Sequence, residues 1–304
     1  MPDKARHSLA AATVIAVHGA WAQIRSSSGK RSRVRVSRNL ESLVCGDEVH
    51  VEVRRGTGRI IEVLPRKTLL ARPLRSGSIR PVAANLDLAV LVVAPIPTTP
   101  LSFIDRCLVN LELQSLESII IFNKQDMGMG EAYEALQKIY QDAGYDTLAC
   151  SAKSGRGLEE LRARLAERAS LMLGVSGAGK SSLARTLIPG ADIAIGDLGG
   201  NGLHGAHTTS VSKLMDLPNG GVLVDTPGVR DFGTWQLEPT QVAFGFREFE
   251  PYLGECRYRD CRHDQDPDCA VRAAFEAGEI AVSRRESYLE ILHNCDAAQA
   301  SRYD

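Results

Sequence analysis

Residues 174–181 read GVSGAGKS, and the spacing of the glycines, the lysine and the serine is that of a phosphate-binding loop. An apolar run typical of a strand precedes this loop and a helical pattern follows it, as phosphate binding at a helix N-terminus requires. Residues 123–126 read NKQD, the composition of a guanine-reading motif that normally follows the phosphate loop along the chain. Here the motif precedes the loop. This inverted order predicts a nucleotide-binding domain whose segments are circularly permuted.

The residue types of the phosphate loop each have a chemical role. Glycines let backbone amides close around phosphate oxygens, and the start of the following helix adds partial positive charge. Lys180 is expected to reach the outer phosphates, and the Ser181 hydroxyl is expected to bind magnesium. A glycine-rich turn without a ligand is the alternative, but it does not explain the lysine and the serine. The residues predicted to contact the phosphates are Gly174, Val175, Ser176, Gly177, Ala178, Gly179, Lys180, Ser181 and Ser182.

Two further motifs predict which base is bound. The Asp126 carboxylate can accept hydrogen bonds from N1 and N2 of guanine, which adenine cannot supply. Residues 151–153 read SAK after the next predicted strand, where the Ala152 amide would lie at the guanine carbonyl oxygen. Either motif alone could be a turn that caps a helix, but both together after consecutive strands predict guanine specificity. The predicted base-contacting residues are Asn123, Lys124, Asp126, Ser151, Ala152 and Lys153.

Residues 225–228 read DTPG at the end of an apolar strand and are typical of a phosphate-sensing switch. Asp225 can hold the magnesium shell through water, and the Gly228 amide can sense the terminal phosphate. The same four residues could instead form an ordinary turn. Upstream lies the glycine-rich stretch GDLGGNGLHGAHTTS, in which Thr209 is expected to complete the magnesium coordination with Ser181.

The residue after this DTPG sequence is Val229, and valine cannot orient a water molecule for attack on a phosphate. Unaided hydrolysis is therefore expected to be slow. His207 is the candidate for this role because an imidazole can hydrogen-bond the attacking water, with an ordinary loop histidine as the alternative. The predicted catalytic residues are His207, Lys180 and Thr209.

A cluster of metal-ligating residues lies near the C-terminus. Cys256, Cys261, His263 and Cys269 supply three thiols and an imidazole, a closed tetrahedral set for one structural zinc ion. The chain has seven cysteines, an odd number that suits reduced thiols and a metal site better than a disulfide framework. Free cysteines that happen to cluster are the alternative. Nearby arginines could contact RNA, but interleaved acidic residues leave this open; they are Arg257, Arg259, Arg262, Arg272, Arg284 and Arg285.

Positive charge is concentrated in the first 80 residues, which contain 16 Lys or Arg and 6 Asp or Glu, whereas the whole chain has a net charge of −1. Within this part, residues 25–38 hold six basic residues and no acidic one. A groove that binds nucleic-acid phosphates has this pattern, so contact with RNA is expected. A charged loop and edge strand that only keep the protein soluble are the alternative.

The hydrophobic patterns predict three domains. Short alternating runs between residues 13 and 64 predict a five-stranded OB-type barrel, and the proline- and arginine-rich residues 65–81 predict a connector. Apolar strands that then alternate with helices predict a parallel sheet covered on both faces. Short helices are predicted around the cysteine cluster. The predicted domains are 1–72, a basic OB-fold RNA-binding domain; 73–234, the circularly permuted nucleotide-binding domain; and 235–304, a zinc-binding domain.

No apolar run approaches the about 20 residues of a membrane span, and the apolar stretch near the N-terminus is too short for a secretory signal. Together with the cysteine usage, this predicts a cytoplasmic protein with no membrane partner.

The assembled motifs resemble the RsgA (YjeQ) family, circularly permuted GTPases of small ribosomal subunit biogenesis. The resemblance covers the basic barrel, NKQD, SAKSG, GVSGAGKSS, HTTS, DTPG and the Cys-Cys-His-Cys cluster, nearly the whole chain. It implies an α/β fold: a circularly permuted P-loop GTPase domain with an N-terminal OB-fold β-barrel and a C-terminal zinc-binding helical domain.

The resemblance also implies a function. It implies hydrolysis of GTP to GDP and phosphate with Mg²⁺, stimulated by the small ribosomal subunit, and contact with rRNA through the barrel and the zinc domain. It implies assistance of late subunit maturation and release on hydrolysis, and it supports His207 as the catalytic histidine and Thr209 as the first-switch threonine. One structural Zn²⁺ and a monomeric state are expected.

Two other classes of protein remain as alternatives. A related permuted GTPase of large-subunit assembly shares the motif order but is not expected to have both the basic barrel and the zinc cluster. An RNA-binding scaffold with a vestigial nucleotide site is disfavoured because Lys180, Ser181, Thr209, Asp225 and Asp126 are all present.

Overall fold

The structure is a computed structural model that describes residues 8–40, 42–54, 56–73, 79–128, 130–189, 212–225 and 237–300. Its strands are β1 (Ser8–His18), β2 (Trp21–Ser26), β3 (Arg31–Val36), β4 (Glu48–Arg54), β5 (Thr57–Val63), β6 (Leu69–Pro73), β7 (Ile79–Ala84), β8 (Leu88–Val93), β9 (Ser118–Phe122), β10 (Asp146–Ala149), β11 (Ala169–Leu173), β12 (Lys213–Asp216) and β13 (Val222–Asp225). Its α-helices are α1 (Leu101–Leu113), α2 (Glu131–Asp142), α3 (Leu158–Leu165), α4 (Lys180–Leu187), α5 (Pro239–Val242), α6 (Ala270–Glu276) and α7 (Val282–Ala300). Short 3-10 helices cover Gln125–Met127, Ala243–Gly245 and Arg247–Tyr252. None of the helices in these ranges has both the length and the apolar character needed to cross a membrane.

The first five strands close into a barrel. Neighbouring strands follow the order β1-β2-β3-β5-β4, and β4 pairs again with β1. The pairing of β3 with β5 is parallel, and the other pairings are antiparallel. Alternate residues point inward, and Val14, Val34, Val49 and Ile60 are buried in the barrel core. The predicted OB-type barrel is confirmed.

The predicted connector, residues 65–81, contains regular structure that the sequence analysis missed. β6 and β7 pair as an antiparallel two-stranded sheet. Prolines are tolerated there because every strand of a two-stranded sheet has an unpaired edge. Residues 65–81 also contact the barrel segment before β4, because Arg66 Nε donates a hydrogen bond to the buried Asp47 carboxylate at 2.7 Å.

Beyond the barrel and the hairpin of β6 and β7, six strands form a second large sheet with the order β10-β9-β8-β11-β13-β12. The first five of these strands run parallel, with α1 and α2 on one face and α3 and α4 on the other. These five strands are the ones that the sequence predicted as parallel, whereas β12, which was not predicted, runs antiparallel to β13. The connection 217–221 is too short for a crossover and therefore forms a hairpin. β12 also pairs with the barrel strand β1 at Ala16 and Lys213, which joins the two sheets.

The C-terminal segment packs against α1. Phe246, Phe249 and Tyr288 form a buried core together with Val109 of α1. Short helices were predicted here, but α7 spans 19 residues. Its buried positions recur every three or four residues up to Cys295, so tertiary packing of one face stabilises the long helix.

Five parallel strands end at one edge of the second sheet, and the predicted nucleotide motifs lie at this edge. Asn123 follows β9, Gly174 follows β11, and Asp225 is the last residue of β13. Ser151 lies just beyond β10. In open α/β sheets, ligands bind at the carboxyl ends of the strands.

Candidate nucleotide-binding site and metal centre

The phosphate loop joins β11 to α4. Gly174, Gly177 and Gly179 have positive φ angles of 145°, 81° and 100°, which glycine adopts at low cost. A Cβ atom on Gly174 would lie 2.5 Å from the Val92 carbonyl oxygen, so the neighbouring strand also requires a glycine there. α4 begins directly after the loop, and the amides of its first turn have no partner within the helix. They can hydrogen-bond an anion held by the loop.

Lys180 is the first residue of α4, and its side chain folds back over the loop. The ammonium donates to the carbonyl oxygens of Gly174 at 2.7 Å and Val175 at 2.9 Å. In this position the ammonium can turn from the carbonyls to phosphate oxygens. The arrangement can hold a di- or triphosphate through backbone amides and one cation.

Asn123 connects the three loops that carry the predicted motifs. Its side chain is buried, and its Nδ2 donates to the Ala178 carbonyl of the phosphate loop at 2.9 Å. Its Oδ1 accepts a hydrogen bond from the Ala152 amide at 3.3 Å. A Cβ atom on Gly179 would lie 2.2 Å from Asn123 Nδ2, so this approach also needs a glycine. The NKQD, SAK and phosphate-loop residues therefore form one contiguous site.

The Asp126 carboxylate is held by the SAK residues. Ser151 Oγ donates to Asp126 Oδ1 at 2.6 Å, and Lys153 Nζ lies 3.7 Å from Oδ2. The hydrogen bond from Ser151, with a smaller contribution from Lys153, holds the pKa of Asp126 below its ordinary value. Asp126 is thus an ionised acceptor at neutral pH, which suits the paired N1 and N2 donors of guanine.

One predicted base contact has a different partner in the structure. The Ala152 amide was predicted to lie at the guanine carbonyl oxygen, and it donates instead to Asn123 Oδ1 at 3.3 Å. This distance is long for an N–H···O hydrogen bond. The amide can therefore exchange this partner for a ligand oxygen at small cost.

The segment between β8 and α1 forms a wall of the site that the sequence analysis missed. Lys124, whose φ of 66° is left-handed, donates from Nζ to the Ile96 carbonyl at 2.5 Å. The ring of Pro97 would lie 3.0 Å from a Cβ atom on Gly177. No motif marks Ile96 or Pro97, because only the position of β8 between β9 and β11 brings them to the site.

The four predicted zinc ligands converge near the C-terminal helices. His263 Nδ1 lies 3.5 Å from the sulfur of Cys256, 3.5 Å from that of Cys261 and 3.4 Å from that of Cys269. The sulfurs of Cys256 and Cys269 are 3.9 Å apart. Tetrahedral zinc with its usual bond lengths requires about 3.5 Å between nitrogen and sulfur and about 3.8 Å between two sulfurs. The four atoms can therefore hold a zinc ion in the closed, structural geometry.

Backbone shape and burial also suit a cation at this cluster. His263 has a left-handed φ of 57°, which turns the chain back toward the preceding cysteines. The Arg272 amide donates to the sulfur of Cys269 at 3.4 Å. Burial raises the pKa of the Cys261 thiol to about 12, so a bound cation is needed to hold it as a thiolate.

The chain is similar to proteins of one known family. Residues 63–235 match the family described as RsgA GTPase. A protein of Haemophilus influenzae (strain 86-028NP) named small ribosomal subunit biogenesis GTPase RsgA is 38% identical over 298 residues, which cover 95% of this chain and 86% of the relative. A protein of the same name from Hahella chejuensis (strain KCTC 2396) is 42% identical over 268 residues, 87% of this chain and 77% of the relative. The chain belongs to the RsgA GTPase family.

The fold of this chain is also similar to the folds of two solved structures. The crystal structure of YjeQ from Thermotoga maritima matches with a TM-score of 0.79 and 32% identity, over 95% of this chain and 99% of that one. YloQ, described as a circularly permuted GTPase, matches with a TM-score of 0.76 and 22% identity, over 98% of this chain and 99% of that one. The predicted fold class, a permuted GTPase domain with a barrel and a zinc-binding unit, is confirmed.

We expect the RsgA-family chain to carry one zinc ion. Replacing Cys261 with serine removes one of the four ligands and is expected to weaken zinc binding by more than about 100-fold, because all four positions of a closed site are needed. Metal analysis of protein purified without chelator measures this. Cys295→Ala, a buried cysteine of α7 outside the cluster, is the control and should retain zinc. Wild-type protein without zinc, or equal zinc in both variants, would contradict the prediction.

Several predicted residues of the RsgA-family site lie outside the described residues. They are His207, Thr209, Gly228 and the neighbouring Val229. The structure describes the strands that border them, since β12 begins at Lys213 and β13 ends at Asp225, directly opposite each other. The assignment of these residues as switch and catalytic groups stays a prediction.

The arginines around the zinc cluster have different environments. Arg284 is 1% exposed and forms ion pairs with Asp105 and Glu248, so it is not available for the RNA contact that the sequence left open. An arginine that pairs inside a core has the same local sequence signal as an exposed one. Three others form ion pairs with carboxylates at the surface: Arg257, Arg262 and Arg272.

Proposed function

We propose that this protein binds GTP, hydrolyses it to GDP and phosphate, and assists late maturation of the small ribosomal subunit. The observation that carries the proposal is the contiguous guanine-nucleotide site, in which Asn123 bridges to the phosphate loop and Ser151 holds Asp126. Relatives that share most of the chain are named small ribosomal subunit biogenesis GTPase, which supports the subunit assignment.

Each site residue has a role in this proposal. Asp126 selects guanine, while Lys180 and the amides of the phosphate loop hold the phosphates. Ser181 and Thr209 would hold the Mg²⁺ that accompanies GTP, and the ion would supply positive charge against the phosphates. His207 orients the attacking water, a role that Val229 cannot perform.

The proposal extends to the partners of the other domains. The boundaries 1–72, 73–234 and 235–304 separate an RNA-contacting barrel, the GTPase domain and a zinc domain. The exposed arginines of β3 support contact of the barrel with rRNA. A monomeric state is part of the proposal.

The proposal is tested by measuring GTP turnover with purified ribosomal subunits. The protein alone is expected to be slow, and small subunits, but not large ones, are expected to stimulate it. His207→Ala is expected to lower the stimulated rate on the order of 100-fold without changing GDP affinity, because it removes only the group that orients water. His293→Ala, an exposed histidine of α7 paired with Asp264, is the control and should not change the rate.

Two outcomes would contradict the proposal. Equal stimulation by large subunits would exclude a specific role in small-subunit maturation. Full activity of His207→Ala would remove that residue from the mechanism.

Release on hydrolysis is tested by sedimentation of the protein with small subunits. The protein is expected to sediment with the subunits when a non-hydrolysable GTP analogue is bound, and to stay in the supernatant when GDP is bound.

A further inference from the structure

The outer face of β2 and β3 concentrates positive charge. In β3, Arg31, Arg33 and Arg35 alternate with inward-facing residues, and all three are exposed. Arg25 of β2 lies directly across from Arg31 in the pairing of the two strands. Like charges at directly opposite positions repel each other. The Arg25–Arg31 pair is therefore stabilised by an anion between the two guanidinium groups.

Asp216 supplies this anion from the GTPase domain. It is the last residue of β12, the strand that pairs with β13 on one side and with the barrel strand β1 on the other. Arg25 forms an ion pair with one of its carboxylate oxygens, and Arg31 forms an ion pair with the other. A phosphate of RNA offers the same arrangement, two anionic oxygens shared by two arginines.

The same face continues toward Trp21. The guanidinium carbons of Arg33 and Arg35 lie 4.7 Å and 5.1 Å from the centre of the Trp21 ring. The indole ring orients both groups through cation–π contacts. Among the described residues, neither arginine has a carboxylate partner. The face therefore has two arginines available to an incoming polyanion and two that are already paired with Asp216.

The contact with Asp216 can be exchanged. The side chains of Arg25, Arg31 and Asp216 are 27%, 53% and 44% exposed. Ion pairs with this degree of exposure contribute little to stability, since water solvates the separated charges well. A phosphate can thus replace the carboxylate, which then becomes hydrated.

We propose that Arg25 and Arg31 form a phosphate-binding site for RNA, and that Asp216 occupies this site until RNA displaces it. The inference rests on the proposed function, because RNA of the small subunit is the partner considered there. Asp216 lies on the β12–β13 hairpin, which connects the two segments predicted as switches. Binding of RNA to the barrel therefore removes a contact between the barrel and this hairpin.

RNA affinity of the Asp216→Asn variant tests the proposal. The probe is a fluorescently labelled uridine oligonucleotide of about 20 nucleotides, bound to the full chain at about 50 to 200 mM KCl. Asp216→Asn is expected to bind about 3- to 10-fold more tightly at low salt than the wild type. Its plot of log K against log salt concentration is expected to be steeper by up to about 1, because in the wild type the displaced Asp216 carboxylate takes up a cation and so reduces the net release of counterions.

Two matched variants separate this effect from a general change of charge. Asp142→Asn removes the same charge from an exposed carboxylate of α2 that pairs with Lys138, and its RNA affinity should equal that of the wild type. In a chain that already carries Arg25→Gln and Arg31→Gln, Asp216→Asn is expected to change RNA affinity by less than about 1.5-fold.

Equal RNA affinity of Asp216→Asn and the wild type, or an equal gain in Asp142→Asn, would overturn the inference. Absence of RNA binding by every variant would overturn it as well. GTP turnover with small subunits, measured on the same preparations, tests the proposed function separately. If small subunits stimulate GTP turnover but Asp216→Asn does not change RNA affinity, the proposed function stands and the inference fails. If Asp216→Asn raises RNA affinity but small subunits do not stimulate GTP turnover, the inference stands and the proposed function fails.

Discussion

Asp126→Asn is expected to lower GDP affinity on the order of 1,000-fold and to create affinity for xanthosine diphosphate. The Asp126 carboxylate can accept from both N1 and N2 of guanine, and asparagine replaces one acceptor with an N–H donor. That donor faces the N2 amino group of guanine, which is also a donor, so one hydrogen bond is lost and one buried group is left unpaired. Xanthine carries an oxygen at the same position and accepts from the new donor.

Titration with fluorescent GDP and xanthosine diphosphate derivatives measures both affinities of this variant. The Asp126 carboxylate accepts from Ser151 Oγ, and an asparagine oxygen can keep this bond, so the loop is expected to stay in place. The matched control is Asp146→Asn, which neutralises a carboxylate paired with Arg164 at the start of β10, away from the site. Unchanged GDP affinity of Asp126→Asn would show that Asp126 does not read the base.

Arg284→Met is expected to lower the free energy of unfolding by about 3–5 kcal/mol. The Arg284 side chain is 1% exposed, pairs with Asp105 and Glu248, and lies over the Phe246 ring at 4.6 Å. Although burial by itself lowers the pKa of Arg284, the two carboxylates raise it above its ordinary value, so the guanidinium is charged. Methionine fills the volume but leaves Asp105 without its counter-charge inside the protein.

Urea unfolding followed by circular dichroism measures the effect of Arg284→Met. Arg272→Met is the control, because Arg272 pairs with the exposed Glu276 and its loss should cost less than about 1 kcal/mol. Adding Asp105→Asn to Arg284→Met is expected to recover part of the lost stability, since it removes the unpaired charge. A midpoint of unfolding equal to that of the wild type would contradict the prediction.

The buried ion pairs also define how the C-terminal unit is attached. Asp105 belongs to α1 of the GTPase domain, whereas Glu248 and Arg284 belong to the C-terminal unit. Gly245 packs so closely on α1 that a Cβ atom there would lie 2.5 Å from a Val109 methyl carbon. The zinc-binding unit is therefore joined to the GTPase domain by a packed core and buried charges, and its attachment does not depend on surface contacts alone.

Much of the candidate site could be predicted from sequence because its chemistry depends on short segments. The glycines of the phosphate loop need positive φ angles within a few residues, and this requirement appears directly in the spacing of Gly174, Gly177 and Gly179. The spacing of the Cys and His ligands likewise limits which atoms can reach one metal ion. The short alternating runs, together with the length of the segment, predicted a five-stranded barrel.

The contacts between distant segments could not be predicted in this way. Ile96 and Pro97 carry no motif, and they border the nucleotide site only because β8 lies between β9 and β11. The hairpin of β6 and β7 was read as a connector because its prolines usually end strands. Only short helices are predicted around the cysteine cluster, whereas α7 spans 19 residues because one of its faces packs against α1 and the rest of the C-terminal core.

The sequence by itself determined the permuted order of the nucleotide motifs, the residues available to guanine, phosphate and zinc, and the class of each domain. These are properties of residue type and short-range spacing, which backbone geometry and ligand chemistry restrict directly. Only the tertiary structure decided that Arg284 is a buried ion-pair partner and that Arg25 and Arg31 share the carboxylate of Asp216. The physical reason is that burial and charge pairing depend on what packs opposite a side chain, and here that partner lies far away along the chain.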